Sequence, residues 1–176
     1  MRCENQEIKD PLLSSKTRIQ SMAMIHDQLY QSDRFDRINM TRQINEMAKH
    51  LSLLYGSDKK IRLEITSSEV YLPINHAIPC ALIFNELITN SLKHAFIDSA
   101  QGKIEIFIHN SEDNRFLLRV KDDGIGIPEG AEIKPDSGLG IELVKNLVDG
   151  QLNGEIRFDN DNGTDISIKF TTETRG

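Results

Sequence analysis

The spacing of the apolar residues changes near residue 57, and this change limits the fold more than any other feature of the sequence. Before it, apolar residues recur at steps of three and four, the period of a helix with one buried stripe. The first helix is predicted from Leu12 to about Tyr30, with Ile19, Met22, Ala23, His26, Leu29 and Tyr30 on the stripe. The second follows Asn39-Met40-Thr41, carries Ile44, Met47, Ala48 and Leu51 on its inner side, and ends near Tyr55-Gly56-Ser57. The N-terminal part is therefore helical, and the stripe of its first helix needs a partner.

After residue 57 apolar residues alternate with charged ones, as in half-buried strands. Such runs lie at residues 61–65, 104–108 and 116–120, and two later strands near 155–158 and 165–170 are joined by a tight turn at Asn162-Gly163. Helical spacing returns at 75–96 and 141–148. The sequence thus predicts an α+β fold, a two-layer α/β sandwich with helices on one face of a largely antiparallel sheet. We expect a helical region with a linker at residues 1–57 and one domain at 58–176.

The composition argues against several kinds of partner. The net charge is −6 and Lys and Arg form no run, so nucleic acid is not expected. No stretch approaches the roughly 18 apolar residues of a membrane span, so no membrane contact is expected of this chain, which could still be the cytosolic end of a larger membrane protein. Cys3 and Cys80 lie far apart, which fits a reducing cytoplasmic compartment. A phosphate ligand would have to be held locally, by a cation, by backbone N–H groups or by a helix N-terminus.

The first segment with chemical potential is NELITNSLKHAF, residues 85–96. Glu86, Asn90, Lys93 and His94 lie three and four residues apart and share one helical face. An acid, an amide and a cation there could supply a general base, an oxygen ligand for magnesium and a phosphate contact. The alternative is a solvated helix face with ordinary charge pairs.

The second segment is VKDDGIGIP, residues 120–128, which leaves a predicted strand and turns at Asp122-x-Gly124-x-Gly126 before Ile127. A carboxylate there can accept a hydrogen bond from an exocyclic amine, and glycines let a flat ring approach the backbone. Asp123 should point to the opposite side, because neighbouring side chains alternate in an extended chain. A plain Asp-Gly turn is the alternative.

The third segment is SGLGIELV, residues 137–144, where Gly138, Leu139 and Gly140 open directly into a helix. Free N–H groups at such a helix start suit an anion such as phosphate. The segment is neither a Walker loop nor a dinucleotide fingerprint. Further along, the Thr164 hydroxyl could reach an adenine through water. Each of these features is also compatible with a purely structural loop or hairpin.

In this order the three segments resemble the ATP-binding fold shared by histidine kinases, gyrase, the Hsp90 chaperones and MutL, the Bergerat-type fold, in which they are called the N, G1 and G2 boxes. The resemblance covers about residues 60–172 and implies ATP and Mg²⁺ as cofactors. It implies that Asn90 coordinates magnesium, that Glu86 is the base or polarising acid and that Asp122 binds the adenine amine. Further nucleotide contacts are implied for Lys93, His94, Gly124, Gly126, Ile127, Gly138, Leu139, Gly140 and Thr164.

Residues 18–33, RIQSMAMIHDQLYQSD, resemble the second dimerisation helix of a histidine-kinase subgroup with a short lid and no phenylalanine box. The subgroup's phosphoacceptor helix begins His-Arg-x-Lys-Asn-Asn, a string that this chain does not contain. The resemblance implies that residues 1–57 are a partial dimerisation region and that the kinase works as a homodimer. It also implies two partners, an acceptor-histidine helix of the same kinase and a response regulator. His26 lies on the apolar stripe and is assigned no catalytic role.

The function implied is transfer of the ATP γ-phosphoryl group to a histidine outside this chain, in two-component signalling. We expect a fragment that binds ATP without phosphorylating itself. Two alternatives remain open. An anti-sigma-type protein serine kinase shares the nucleotide boxes but lacks a dimerisation helix. A nucleotide-responsive binding module would use ATP only to change how it docks on a partner.

Overall fold

The computed structural model describes residues 4–31, 37–55, 60–97, 99, 101–127 and 139–172, which form an α+β fold, as the sequence predicts. The elements in chain order are α1 (Glu4–Gln31), β1 (Arg37–Asn39), α2 (Met40–Tyr55), β2 (Lys60–Ser67), β3 (Tyr71–Pro73), α3 (Ile74–Asn90), β4 (Gln101–Ser111), β5 (Arg115–Asp122), α4 (Leu139–Leu147), β6 (Glu155–Asp159) and β7 (Asp165–Thr171). A wider helical turn extends α3 over Ser91–Ala95, and another extends α4 over Val148–Leu152.

The main sheet has five strands in the order β2-β4-β5-β7-β6. β2 and β4 are parallel because α3 forms the crossover between them, and the other neighbours are antiparallel. One face is apolar and buried, and its central residues are Ile104, Ile106, Ile108, Leu118, Val120, Ile166 and Ile168. The opposite face carries polar residues such as Arg119 and Lys169. The sheet therefore has one buried side, as the alternation predicts.

The helices cover the buried face. α3 is buried over most of its length, since the sheet lies on one side of it and α1, α2 and α4 pack on the others. α2 also packs against β2, so its apolar side joins the same core. The division at residue 57 stays a prediction, although this packing makes α2 part of the helical layer of the sandwich.

The periodicity does not reveal the second sheet, in which β1 pairs antiparallel with β3. Ile38 faces Leu72 in this ladder, and both are buried. At the end of β1 the Asn39 side chain accepts a hydrogen bond from the Arg42 amide, which caps the start of α2. Strands of three residues contain too few alternations to be recognised in a sequence.

The two sides of α1 differ in burial. Ile19 and Met22 of the predicted apolar stripe are exposed, as are Ala23 and His26, whereas Thr17, Ser21 and Ile25 are buried. The buried side faces α3 at Asn85, whose side chain hydrogen-bonds with Ser21 and Thr17. Small hydroxyl residues fit there because they satisfy a buried amide. The apolar stripe consequently faces away from the chain's own core.

Among the described residues, no helix combines the length and the apolar character needed to cross a bilayer.

Two glycines allow a matched test of the packing. A Cβ on Gly102 would lie 2.1 Å from Cε1 of Phe96, whose ring is buried, whereas a Cβ on Gly150 would meet nothing within 4 Å. Gly102→Ala should lower the free energy of unfolding by about 1–3 kcal/mol, the usual cost of overpacking. Gly150→Ala should leave it unchanged or raise it by up to about 1 kcal/mol, because alanine favours helical backbone. Urea titrations compare the two, and equal midpoints would contradict the packing of Phe96 on Gly102.

Candidate functional site

The first predicted segment, residues 85–96, lies against both of the other two. Asp122, the last residue of β5, is 2% exposed, so its carboxylate is enclosed by protein. The turn that extends α3, at Ser91, and the loop of residues 160–164 between β6 and β7 lie beside it, while the start of α4 lies against Glu86 and Asn90 on α3. The site is therefore assembled from segments that are distant in sequence.

The Asp122 carboxylate is fixed by donors from three parts of the chain: the loop after β5, the loop before β7 and the end of α3. Oδ1 accepts the amides of Gly124 and Thr164, each at 3.1 Å, and Oδ2 accepts the Ser91 hydroxyl at 2.8 Å. Within the described part of the chain, Oδ2 accepts from Ser91 alone, and a carboxylate oxygen can accept two hydrogen bonds. Oδ2 thus keeps capacity for one further donor. Ser91 is not among the predicted site residues, because nothing in a helical serine indicates a carboxylate partner so far along the chain.

Asp123 points elsewhere. It is exposed, and its Oδ1 accepts the Lys103 amide at 2.6 Å. The expectation that only one carboxylate of the adjacent pair faces inward is confirmed.

The glycines after Asp122 are needed for packing within the chain. A Cβ on Gly124 would lie 2.2 Å from the carbonyl oxygen of Ala95, and the neighbouring Ile125 amide donates to that oxygen at 2.9 Å. Gly126 has φ +70°, and a Cβ there would lie 2.4 Å from Oδ1 of Asn160. These contacts account for both glycines without a ligand. The sequence-based proposal that these glycines make room for a flat ring stays a prediction.

Asn160 holds the end of this loop, and nothing in the sequence marks it beyond its place in a polar turn. Its Oδ1 accepts the Ile127 amide at 2.5 Å, and its Nδ2 donates to the Ile127 carbonyl at 2.6 Å. One side chain therefore satisfies both backbone groups of Ile127, as a neighbouring strand would. Residues 128–138, which include Gly138, lie outside the described residues.

The connection between β6 and β7 is a five-residue loop rather than a two-residue turn. Five residues, 160–164, separate the ladder pair Asp159 and Asp165, so Asn162-Gly163 does not form a two-residue hairpin by itself. Both residues do have positive φ, +58° and +106°. A Cβ on Gly163 would lie 2.0 Å from the Asp122 carbonyl oxygen, so the loop packs directly on the end of β5. The extra length allows Thr164 to bind Asp122 through its backbone N–H and C=O.

Glu86 on α3 is the second buried carboxylate of the site. Arg18 of α1 donates from Nε to Oε1 at 2.6 Å and from Nη2 to Oε2 at 2.7 Å, a bidentate ion pair. The Asn85 amide also donates to Oε1, at 3.2 Å. This bonding raises the pKa of the Arg18 guanidinium above its ordinary value. Arg18 was missed because the two partners are 68 residues apart.

The start of α4 lies against Glu86 and Asn90. A Cβ on Gly140 would lie 2.6 Å from Oε2 of Glu86 and 3.7 Å from Nδ2 of Asn90. Gly140 therefore permits the close approach of this helix start to α3. Leu139 begins α4, but its side chain lies outside the described residues.

The remaining residues of the predicted polar helix face have other surroundings. The Lys93 ammonium donates to the Ser14 hydroxyl at 3.0 Å and lies 5.2 Å from the ring centroid of Tyr55. It thus points towards α1 and α2. His94 is exposed. Within the described ranges there is no cluster of three His, Cys, Asp or Glu side chains that could hold a metal by itself.

Two family models match the chain. Residues 75–174 match a model described as histidine kinase-, DNA gyrase B-, and HSP90-like ATPase. Residues 1–55 match a model described as histidine kinase. Together they include every element of the site.

Individual proteins show the same likeness. Sensor histidine kinase PdtaS of Mycobacterium tuberculosis is 28% identical over 178 residues, which is 99% of this chain and 35% of that protein. The histidine kinase domain of the Erythrobacter litoralis EL346 blue-light activated histidine kinase superposes with a TM-score of 0.81 at 24% identity, over 90% of this chain and 74% of that one. Anti-sigma F factor of Bacillus licheniformis is 31% identical over 77 residues, 38% of this chain and 52% of that protein. The chain thus spans about a third of the length of PdtaS.

Asn160→Ala tests whether the side chain fixes the loop. Hydrogen exchange of the Ile127 amide should become faster by about five- to tenfold, since one hydrogen bond contributes about 1 kcal/mol. Asp161→Ala, which shortens an exposed side chain of the same loop, is the control and should leave that exchange rate unchanged. Equal rates in the parent and Asn160→Ala would show that the Ile127 backbone is held by other contacts.

Proposed function

The chain belongs to the histidine kinase-, DNA gyrase B-, and HSP90-like ATPase family, and we propose that it is the ATP-binding catalytic part of a sensor histidine kinase. In this proposal the γ-phosphoryl group of ATP passes to a histidine on a dimerisation helix that the chain does not contain. The match of residues 1–55 to the histidine kinase model supports this choice within the family.

The observation that carries the proposal concerns residues 86–91. This stretch carries the buried Glu86 carboxylate and also contacts the buried Asp122 carboxylate, and the two have different surroundings. Ser91 contacts Asp122, and Glu86 and Asn90, which precede Ser91 on α3, lie against the start of α4. An adenine amine would be the further donor to Asp122 Oδ2. The N–H groups at the start of α4 would then face the phosphates, which such a helix terminus stabilises.

Asn90 is the residue that would hold magnesium, through its side-chain oxygen. Its half-buried amide beside the start of α4 fits this role, because magnesium in such sites uses few protein ligands and several phosphate and water oxygens. When bound, the ion offsets phosphate charge. Lys93 would contact phosphate only after leaving Ser14, and His94 is a solvent-side candidate for a ribose or phosphate contact.

The chain's own contribution to the reaction is positioning and electrostatics, as in other phosphoryl transfers. Asp122 orients the adenine ring, and Gly140 keeps the start of α4 close to α3. Glu86 polarises the incoming histidine or accepts its proton. The full-length kinase would act as a homodimer and pass the phosphoryl group on to a response regulator.

A protein serine kinase of the anti-sigma type is the second candidate, favoured by the similarity to anti-sigma F factor. That similarity covers 38% of the chain, and the similarity to anti-sigma F factor of Priestia megaterium covers 71% of it at 26% identity. The histidine-kinase match at residues 1–55 gives α1 a role, which the serine-kinase proposal does not.

Asp122→Asn should weaken ATP binding by about 10- to 100-fold, because the adenine amine loses a charged acceptor contributing about 1.5–3 kcal/mol. The fold should persist, since asparagine still offers an oxygen to the Gly124 and Thr164 amides. Asp123→Asn is the matched control and should bind ATP like the parent, because Asp123 points away from the site. Calorimetry measures both variants, and an Asp122→Asn protein with the parent's affinity would move the adenine pocket elsewhere.

Phosphotransfer tests the proposed activity itself. With labelled ATP and magnesium the chain alone should remain unlabelled, whereas an added dimerisation domain with its acceptor histidine should gain label that survives base and is lost in acid. His26→Ala should change neither result, since His26 lies on the outer side of α1. Acid-stable label on a serine substrate would favour the anti-sigma type. ATP binding without transfer to any acceptor would favour a nucleotide-responsive module.

A further inference from the structure

The polar face of α3 is bonded to α1 at three levels. Arg18 binds Glu86, Ser21 donates to the Asn85 side chain at 3.2 Å, and Ser14 accepts from Lys93. Earlier residues of α1 thus meet later residues of α3, so the two helices run antiparallel. Glu86 and Lys93, two of the groups that the nucleotide site would use, therefore have partners on α1.

The Glu86 carboxylate is held more completely than either of the other groups. Its side chain is 6% exposed and that of Arg18 is 25% exposed. Oε1 accepts from both Arg18 and Asn85, and Oε2 accepts from Arg18 while facing the start of α4. A buried carboxylate needs a paired charge and satisfied lone pairs, and Arg18 supplies the charge together with two of the three bonds.

We propose that Arg18 is a positioning residue for the transfer reaction, acting by fixing the Glu86 carboxylate beside the start of α4. This role rests on the proposed kinase function, in which Glu86 acts on the incoming histidine. The guanidinium is suited to it because its two parallel N–H bonds set both the position and the plane of the carboxylate. A lysine would supply the charge without fixing that plane.

The position of Arg18 gives this role a consequence for the whole kinase. Arg18 belongs to the segment that matches the histidine kinase model at residues 1–55, whereas Glu86 belongs to the ATPase match at residues 75–174. The carboxylate is therefore in its working orientation only while the two parts are docked.

The test uses the full chain with an added dimerisation domain that carries the acceptor histidine. Arg18→Gln should lower the rate at saturating ATP at least tenfold and leave the KM for ATP within about threefold of the parent, since a misplaced carboxylate impairs the chemical step rather than binding. Arg18→Lys should restore part of the rate. Arg42→Gln is the matched control, because it removes the exposed Arg42–Glu46 pair on α2 and should keep the parent's rate.

Two further variants separate positioning from loss of docking. Arg18→Gln combined with Glu86→Gln should be no slower than Glu86→Gln alone, because residues that act as one unit are not additive. Ser21→Ala removes a different bond between α1 and α3 and should stay near the parent's rate.

The proposal is overturned if the rate losses of Arg18→Gln and Glu86→Gln multiply in the double variant, or if Ser21→Ala loses as much rate as Arg18→Gln. It is also overturned if the rate of Arg18→Gln equals or exceeds that of the parent. The last outcome would make the ion pair an inhibitory contact. A parent that labels no acceptor overturns the proposed function, and the role of Arg18 with it. An active parent with parent-like Arg18 variants overturns the role of Arg18 alone.

Discussion

The buried carboxylate of Asp122 is the constraint on which the rest of the site depends. Burying a carboxylate is costly unless its oxygens are bonded, and here the donors come from the end of α3, the loop after β5 and the loop before β7. Each donor therefore fixes its own segment to the end of the central strand. The close contact of Gly163 with the Asp122 carbonyl and of Gly124 with Ala95 follows from this convergence, since neither approach leaves room for a side chain.

Long elements were predictable from the sequence because they repeat their period several times. The helices now called α2, α3 and α4 and all five strands of the main sheet lie where the spacing of apolar residues predicts them. The three-residue strands β1 and β3 escaped because they repeat nothing, and the sequence left open which helix covers the apolar stripe of α1. Periodicity shows that a helix has an apolar side, but it does not show whether the chain itself covers that side.

Site residues were predictable where local chemistry marks them and were missed where a partner far along the chain defines them. Asp122 and Glu86 stand out beside glycines and on a polar helix face, whereas Arg18, Ser91 and Asn160 become visible only through their contacts. The glycines teach a related lesson. The sequence suggests that Gly124 and Gly126 leave space for a ligand. In the structure each is already needed because a side chain there would collide with the chain's own backbone or side chains. A sequence indicates that side-chain volume is forbidden at a position, but not which neighbour forbids it.

The two sides of α1 differ in a way that bears on how the two parts of the chain are coupled. The inner side binds α3 through hydroxyls and one ion pair and buries Ile25 in the core, while Leu12, Ile19 and Met22 on the other side are 64%, 67% and 45% exposed. Polar contacts give small net free energies because each replaces a bond to water, so the polar bonds between α1 and α3 are specific without being strong. Apolar burial, by contrast, scales with area and is the stronger means of holding a helix. Beside the burial of Ile25, α1 is held on α3 by a few directed bonds, of which the bidentate pair between Arg18 and Glu86 is the most constrained. We therefore expect a change at that pair to alter the site before it alters the fold.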